Sequence, residues 1–299
     1  MYLPSHSIQQ QIVPNSVKLL PKSATDNLNS EDISGDFLTV IGNMHDYLVG
    51  GTDEEFSSQD QVRSWFTYVV YSGILKLGLP TSNYHLNIGV DLKTFYQDSL
   101  MPTIRPQKKI KLKEKGQVTL MSLDLSEVHY YPNIYAAAIF LANKYLDKKH
   151  IVIHLRKNTF EGICYTPGQP YSKQDYVIGN RFDQSDYEKD VKPDHLNKVK
   201  YLQQLVKKAT KLFSHAETAP VYILKDAEIE QVIVADLQAK FTGKNLIYLD
   251  NHPFQLISEG LFLIGKAETM PEQFPTVGIS SSKDQSYFTA PKYLQLLAS

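Results

Sequence analysis

The residues best placed for chemistry lie in one run, His150 to Tyr165, which reads H-I-V-I-H-L-R-K-N-T-F-E-G-I-C-Y. It carries an imidazole, a guanidinium, an ammonium, a hydroxyl and a carboxyl within eight positions: His154, Arg156, Lys157, Thr159 and Glu161. Ile151 to Ile153 are β-branched, the mark of a strand buried on both faces. Phe160, Ile163 and Tyr165 resume β-type composition after a tight connection at residues 156–158, so the segment is expected to be a hairpin. A buried strand running into a tight turn is a common setting for phosphate recognition. That chemistry needs glycines, which let backbone N–H groups approach phosphate, and an acid to hold a hydrated cation. This turn offers neither a glycine nor an aspartate.

Other chemistries lack their signatures. The nine histidines form no H-E-x-x-H and no zinc-spaced pairing with cysteine. His129, His150 and His154 fall near strand ends and could approach one another, but no metal site is expected. Cys164, the single cysteine, lies within a strand and is expected to be an inert packed thiol; it excludes an internal disulfide framework and fits a reducing compartment. There is no G-x-S-x-G, Walker loop or G-x-G-x-x-G. With 31 basic and 32 acidic residues, the chain has no global field favouring nucleic acid or a membrane. No apolar run approaches the roughly 20 residues of a membrane span. The first residues, M-Y-L-P-S-H-S, lack a secretory pattern, so a cytoplasmic protein is expected.

The elements that must position the run alternate between strand and helix. Residues 1–35 are polar, with Pro4, Pro14 and Pro21, and are expected to be extended and partly loose. Residues 37–41 and 47–49 read as a hairpin. Gln59 to Leu77 carries a helical apolar stripe with Asp60 as cap and Gly78 as stop. Leu86 to Leu92 alternates as a strand. Lys108 to Leu125 reads as a hairpin whose lysines blunt a solvated edge. Pro132 opens a helix to Leu146. A polar connection spans 166–194, and His195 to Ser214 has a long apolar face at helical spacing. Strand, helix, strand and helix then follow at 221–224, 227–241, 246–249 and 253–265, with Asp226 as the cap of the first of these helices. This pattern predicts α/β layers.

The order of elements resembles the actin-like ATPases of the plasmid-segregation type, the ParM/StbA-like group of the actin–Hsp70–hexokinase superfamily. That group carries D-x-G-x-x-T on its second phosphate hairpin; His154 stands at the aspartate, Arg156 at the glycine, Thr159 at the threonine, and Glu161 near an acidic position that often follows. Val13 to Val17 resembles its P-S-v segment, Tyr47 to Gly50 its y-x-V-G strand, and Val90-Asp91-Leu92 its G-L-P-L region. Tyr248 to Gly265 is similar to its d-P-x-f-A-n-a-x-G-l junction, through Asp250, Pro253, Phe254, Gly260 and Gly265. On its adenosine side, a G-G-x-a turn is replaced here by Leu224-Lys225-Asp226-Ala227.

The resemblance implies an actin-like (ribonuclease H-like) architecture of two α/β subdomains: residues 1–148, 149–270, and an extension at 271–299. The family's first phosphate hairpin precedes the P-S-v segment. Only about a dozen residues precede Val13, too few at about 3.3 Å per residue, so that hairpin is expected to be missing. A degenerate nucleotide site is then expected at His154, Arg156, Lys157, Thr159, Lys225 and Asp226, with no catalytic residue, no metal and no cofactor. The chain would act by self-association or on a protein partner, touching DNA only indirectly. Two alternatives stay open. One is a working ATPase using ATP and magnesium, in which Asp91 or Asp124 orders the cation and Arg156, Lys157 and Thr159 meet phosphates. The other is an unrelated α/β binding protein.

Overall fold

The computed structural model describes residues 8–14, 17–21, 38–41, 45–49, 59–78, 83–96, 104, 110–114, 117–121, 124–145, 148–156, 159–169, 176–180, 205–210, 218–226, 231–241, 243, 245–249, 252–268, 276–281 and 285–291. The strands are β1 (Ile8–Pro14), β2 (Val17–Pro21), β3 (Leu38–Ile41), β4 (His45–Val49), β5 (Asn83–Val90), β6 (Ile110–Glu114), β7 (Gln117–Met121), β8 (Asp124–Pro132), β9 (His150–Leu155), β10 (Thr159–Tyr165), β11 (Tyr176–Asn180), β12 (Val221–Lys225), β13 (Leu246–Tyr248), β14 (Thr276–Ser281) and β15 (Gln285–Pro291). The helices are α1 (Gln59–Lys76), α2 (Leu92–Phe95), α3 (Asn133–Lys144), α4 (Gln231–Lys240) and α5 (Pro253–Glu268), with a further helical stretch at 205–210.

The chain divides into two compact units. One comprises residues 1–90, 97–131 and 261–299; the other comprises 91–96 and 132–260. This differs from the expected division near residue 148, because α3 packs on β9 and β10 and so belongs with the strands that follow it.

The second unit holds a five-stranded sheet in the order β11-β10-β9-β12-β13. β9, β10 and β11 are antiparallel neighbours, and β12 joins β9 in parallel. Side chains alternate along β9. Ile151, Ile153 and Leu155 enter a core with Val221, Ile223, Leu205, Ala209, Val234 and Leu237. Val152 and His154 face the other way, and all six residues of β9 are buried. Two-sided burial is what the β-branched run predicts. β11 lies inside the stretch expected to be a polar connection; Tyr176 and Val177 are buried, an adjacent pair too short to announce a strand from sequence.

The first unit holds a sheet in the order β1-β15-β14-β5-β8 and a third, antiparallel sheet in the order β2-β4-β3-β6-β7. The two expected hairpins, β3–β4 and β6–β7, are both in the third sheet. The N-terminal residues expected to be loose include β1, which pairs with β15 along its whole length. α1 covers this pair: Gln9 Nε2 donates to the Leu77 carbonyl at 2.7 Å, and a Cβ on Gly73 would lie 2.3 Å from the Phe288 ring. Gly78, at φ +62°, ends the helix as expected. Asp60 lies inside α1, and Pro132 caps α3 from outside, one residue earlier than expected.

The first sheet repeats the second with its strands taken in a different chain order. β1–β15 and β15–β14 are antiparallel and β14–β5 is parallel, matching β11–β10, β10–β9 and β9–β12. In the second unit the chain supplies these strands consecutively. In the first it begins at the third position and returns at the C-terminal end to supply the first two. The unit is therefore a circular permutation of its partner's topology. The hairpin expected to be missing has its counterpart in β14–β15, and residues 271–299, expected as an extension, supply two inner strands of the sheet. Counting along the registers, Ser280 takes the place of His154 and Asp91 that of Asp226.

Helix α5 makes two close approaches. A Cβ on Gly260 would lie 1.9 Å from the Ala136 carbonyl oxygen of α3, and one on Gly265 would lie 2.3 Å from Asn87 Nδ2. Backbone at that distance leaves no room for a side chain, so Gly260→Ala is expected to lose about 1–3 kcal/mol in chemical denaturation. A chain ending at residue 270 is expected to lose cooperative unfolding of the first unit, read by circular dichroism. A dispensable extension would leave the transition unchanged.

Candidate functional site

The β9–β10 hairpin places an imidazole and a carboxyl directly opposite one another inside the second sheet. His154 and Glu161 are cross-strand partners, and both are buried. At this pair spacing the side chains are neighbours on one face, and polar groups so placed must find partners within the protein.

His154 Nε2 lies 2.9 Å from Asp226 Oδ1. Burial holds the imidazole below its ordinary pKa, against the opposing pull of Asp226. The ring is therefore neutral near pH 7, and this contact is a hydrogen bond donated by Nε2–H to a carboxylate, although its distance is that of an ion pair. Nδ1 is buried and has no partner. The ring meets Phe254 edge-on at 5.7 Å.

Glu161 Oε1 accepts the backbone N–H of Leu92 at 2.9 Å, at the first turn of α2, while Oε2 has no partner. Asp91 caps the same turn through Thr94 N at 2.7 Å. Burial pushes the Glu161 carboxyl up to about 7, with Arg156 and the Leu92 bond opposing and Asp91 and Asp226 adding to the rise.

Arg156 stands among these acids, 3.9 Å from both Asp91 Oδ2 and Asp226 Oδ2, with its guanidinium 5.6 Å from the Phe254 ring centre. At that range the pairing is electrostatic rather than hydrogen-bonded. Its own N–H donates to the Thr159 carbonyl at 2.9 Å and closes the turn. Among the described residues, Arg156 faces two carboxylates, Asp91 and Asp226.

Of the six residues expected to form the site, the structure joins His154, Arg156 and Asp226 through side chains. Thr159 adjoins them through its backbone, and Lys225 sits in register with Leu155 on the neighbouring strand. Lys157 lies outside the described residues. Asp226 was expected to cap a helix over 227–241, whose residues 227–230 lie outside the described residues; the Asp226 carboxylate accepts from His154. Asp91, weighed only for a working ATPase, joins the cluster, whereas Asp124 opens β8 in the other unit. Phe254 was legible only as a junction residue; its ring contacts with His154 and Arg156 come from separate elements. Of the three histidines that could approach one another, His154 is bonded to Asp226. His150 contacts the Lys148 and Ala138 carbonyls, and His129 stacks on His85 in the other unit.

The raised Glu161 fixes the sign of a pH effect. The unfolded carboxyl ionises near 4.5 and the folded one near 7, so Glu161's contribution to stability is fully present below 4.5 and is lost as pH rises to about 7. Glu161→Gln is expected to flatten the pH dependence of unfolding across that window, removing a change of about 3 kcal/mol or less. Urea titrations at several pH values measure it.

No family model and no curated protein matches this chain. Solved structures do. An archaeal actin homolog, Ta0583, aligns at 11% identity over 86% of this chain and 93% of its own, with a TM-score of 0.55. A subunit of a 15-stranded ParM filament from Clostridium botulinum aligns at 13% identity over 84% of this chain and 91% of its own, with a TM-score of 0.51. With two five-stranded α/β sheets of matching topology already described, these likenesses establish that the chain has the actin-like fold.

Proposed function

We propose that this chain works by association, with copies of itself or with a protein partner, on an actin-like scaffold that does not turn over ATP. The carrying observation is the mutual commitment of charges at the β9–β10 turn. A polyphosphate site needs cationic groups and N–H donors aimed outward, and carboxylates left to hold a hydrated magnesium. Here Arg156 lies between Asp91 and Asp226, His154 Nε2 is bonded to Asp226, and Glu161 is buried on Leu92 N. The resemblance to D-x-G-x-x-T is interrupted at both His154 and Arg156, and Lys225 and Asp226 fill the adenosine-side turn.

Self-association draws support from the filament described for the Clostridium botulinum ParM protein and from the edge strand β1, where Ile8 and Ile12 are exposed. Edge strands with apolar side chains favour pairing with other chains. Contact with DNA would be indirect, through a partner. Among the described residues no helix is long and apolar enough to cross a membrane, and the lone cysteine is buried and forms no disulfide; a cytoplasmic setting is our reading of both.

A second reading, nucleotide binding, gains from one observation: β14–β15 fills the sheet position of the hairpin otherwise taken to be missing. Titration calorimetry with ATP, with and without magnesium, beside a phosphate-release assay and light scattering, separates the two. We expect no phosphate release, no magnesium-dependent binding, and scattering that rises with protein concentration alone. A ligand at 100 times its dissociation constant would add about 2.7 kcal/mol of stability, so thermal shift supplies an independent check. Micromolar, magnesium-dependent binding by the wild type would overturn the proposal.

A further inference from the structure

The first unit carries a cluster that plays no part in the turn chemistry. His85 on β5 and Glu127 and His129 on the adjacent strand β8 bring one ligand atom each to within 4.8 Å of one another. We propose that these three residues bind one divalent transition-metal ion of the zinc type.

The strand geometry assembles the set. Glu127 and His129 are two residues apart on β8 and so share a face of the sheet. His85 lies on the neighbouring strand on that same face: its Nδ1 is 2.8 Å from Glu127 Oε2, and its ring stacks on His129 at 4.6 Å and 16°. β8 is the last strand in the sheet order, and Glu127 and His129 are exposed, while His85 is only 3% exposed. One ligand is thus held rigidly by the core, and two reach it from a solvent-facing edge that leaves further coordination positions to water.

Two imidazoles and a carboxylate select the metal class. Imidazole nitrogen suits zinc and its first-row neighbours, whereas magnesium and calcium take oxygen ligands. Ligand–metal distances of about 2.0–2.2 Å put tetrahedral ligands roughly 3.4 Å apart. The His85–Glu127 separation is already shorter than that, and the widest gap closes by rotamer changes at the two exposed residues. His85 is not a satisfied core histidine: Nε2 is buried with no hydrogen-bond partner, and Nδ1 points to a carboxylate. An ion would take the place of the proton shared by Nδ1 and Glu127 and tie the edge strand β8 to β5.

The test uses the metal-stripped full chain titrated with zinc chloride and with cobalt chloride. Calorimetry is expected to give one equivalent, and cobalt to give visible d–d absorption. His129→Ala and Glu127→Gln alter exposed side chains, so circular dichroism should match the wild type. Each is expected to weaken zinc binding by roughly tenfold or more and to abolish the zinc-induced rise in melting temperature. Absence of a one-to-one complex, or undiminished binding in the His129→Ala/Glu127→Gln double variant, would show that His85 and Glu127 form an ordinary hydrogen-bonded pair.

Discussion

A buried imidazole facing a buried carboxyl across an antiparallel strand pair is the constraint around which the second unit is arranged. Neither His154 nor Glu161 can reach water, and each leaves one side-chain atom without a partner. The rest of their hydrogen-bonding capacity is met from other elements, by Asp226 at the end of β12 and the Leu92 N–H at the start of α2. Once Asp226 and Asp91 stand there, Arg156 is drawn between them and rests on Phe254 from α5. Among the described residues, one cation, Arg156, thus faces the carboxylates of Asp91 and Asp226.

The two strand-end acids show how far the pairing of the sheets goes. Asp91 follows β5 as Asp226 follows β12, each at the carboxyl end of the strand that runs parallel to the first hairpin strand. Side chains at such strand ends are where α/β sheets hold ligands. In this chain their roles have diverged: Asp91 caps a one-turn helix, and Asp226 holds a histidine.

The permuted first sheet follows from what a sheet requires. Strand pairing is decided by register, burial and direction, and none of these depends on which strand the ribosome makes first. A circular permutation survives where the original ends lie close and the new ends fall in a connection that tolerates opening. β1 and β15 pair from Ile8–Pro291 to Pro14–Gln285, so the segment that closes the sheet is long-range in sequence although local in space. The close approach of Gly73 to Phe288 ties α1 to the same late strand.

Much of this protein was legible in its residues. The β-branched run at Ile151 to Ile153 and the resumption at Phe160 dictated the hairpin, because only strands buried on both faces tolerate such composition. The order of strands and helices carried the actin-like fold, and Gly78 marked a helix end. His154 and Arg156 were visible as departures from a phosphate-binding pattern. Local composition could not reveal the company they keep, since Asp226, Asp91 and Phe254 come from three other elements. Nor could it place β14 beside β5 and β15 beside β1, strands far apart in the chain, or bring His85 beside His129. Periodicity reports which way a side chain faces along its own strand. Which strand lies next to it is decided only when the whole sheet closes.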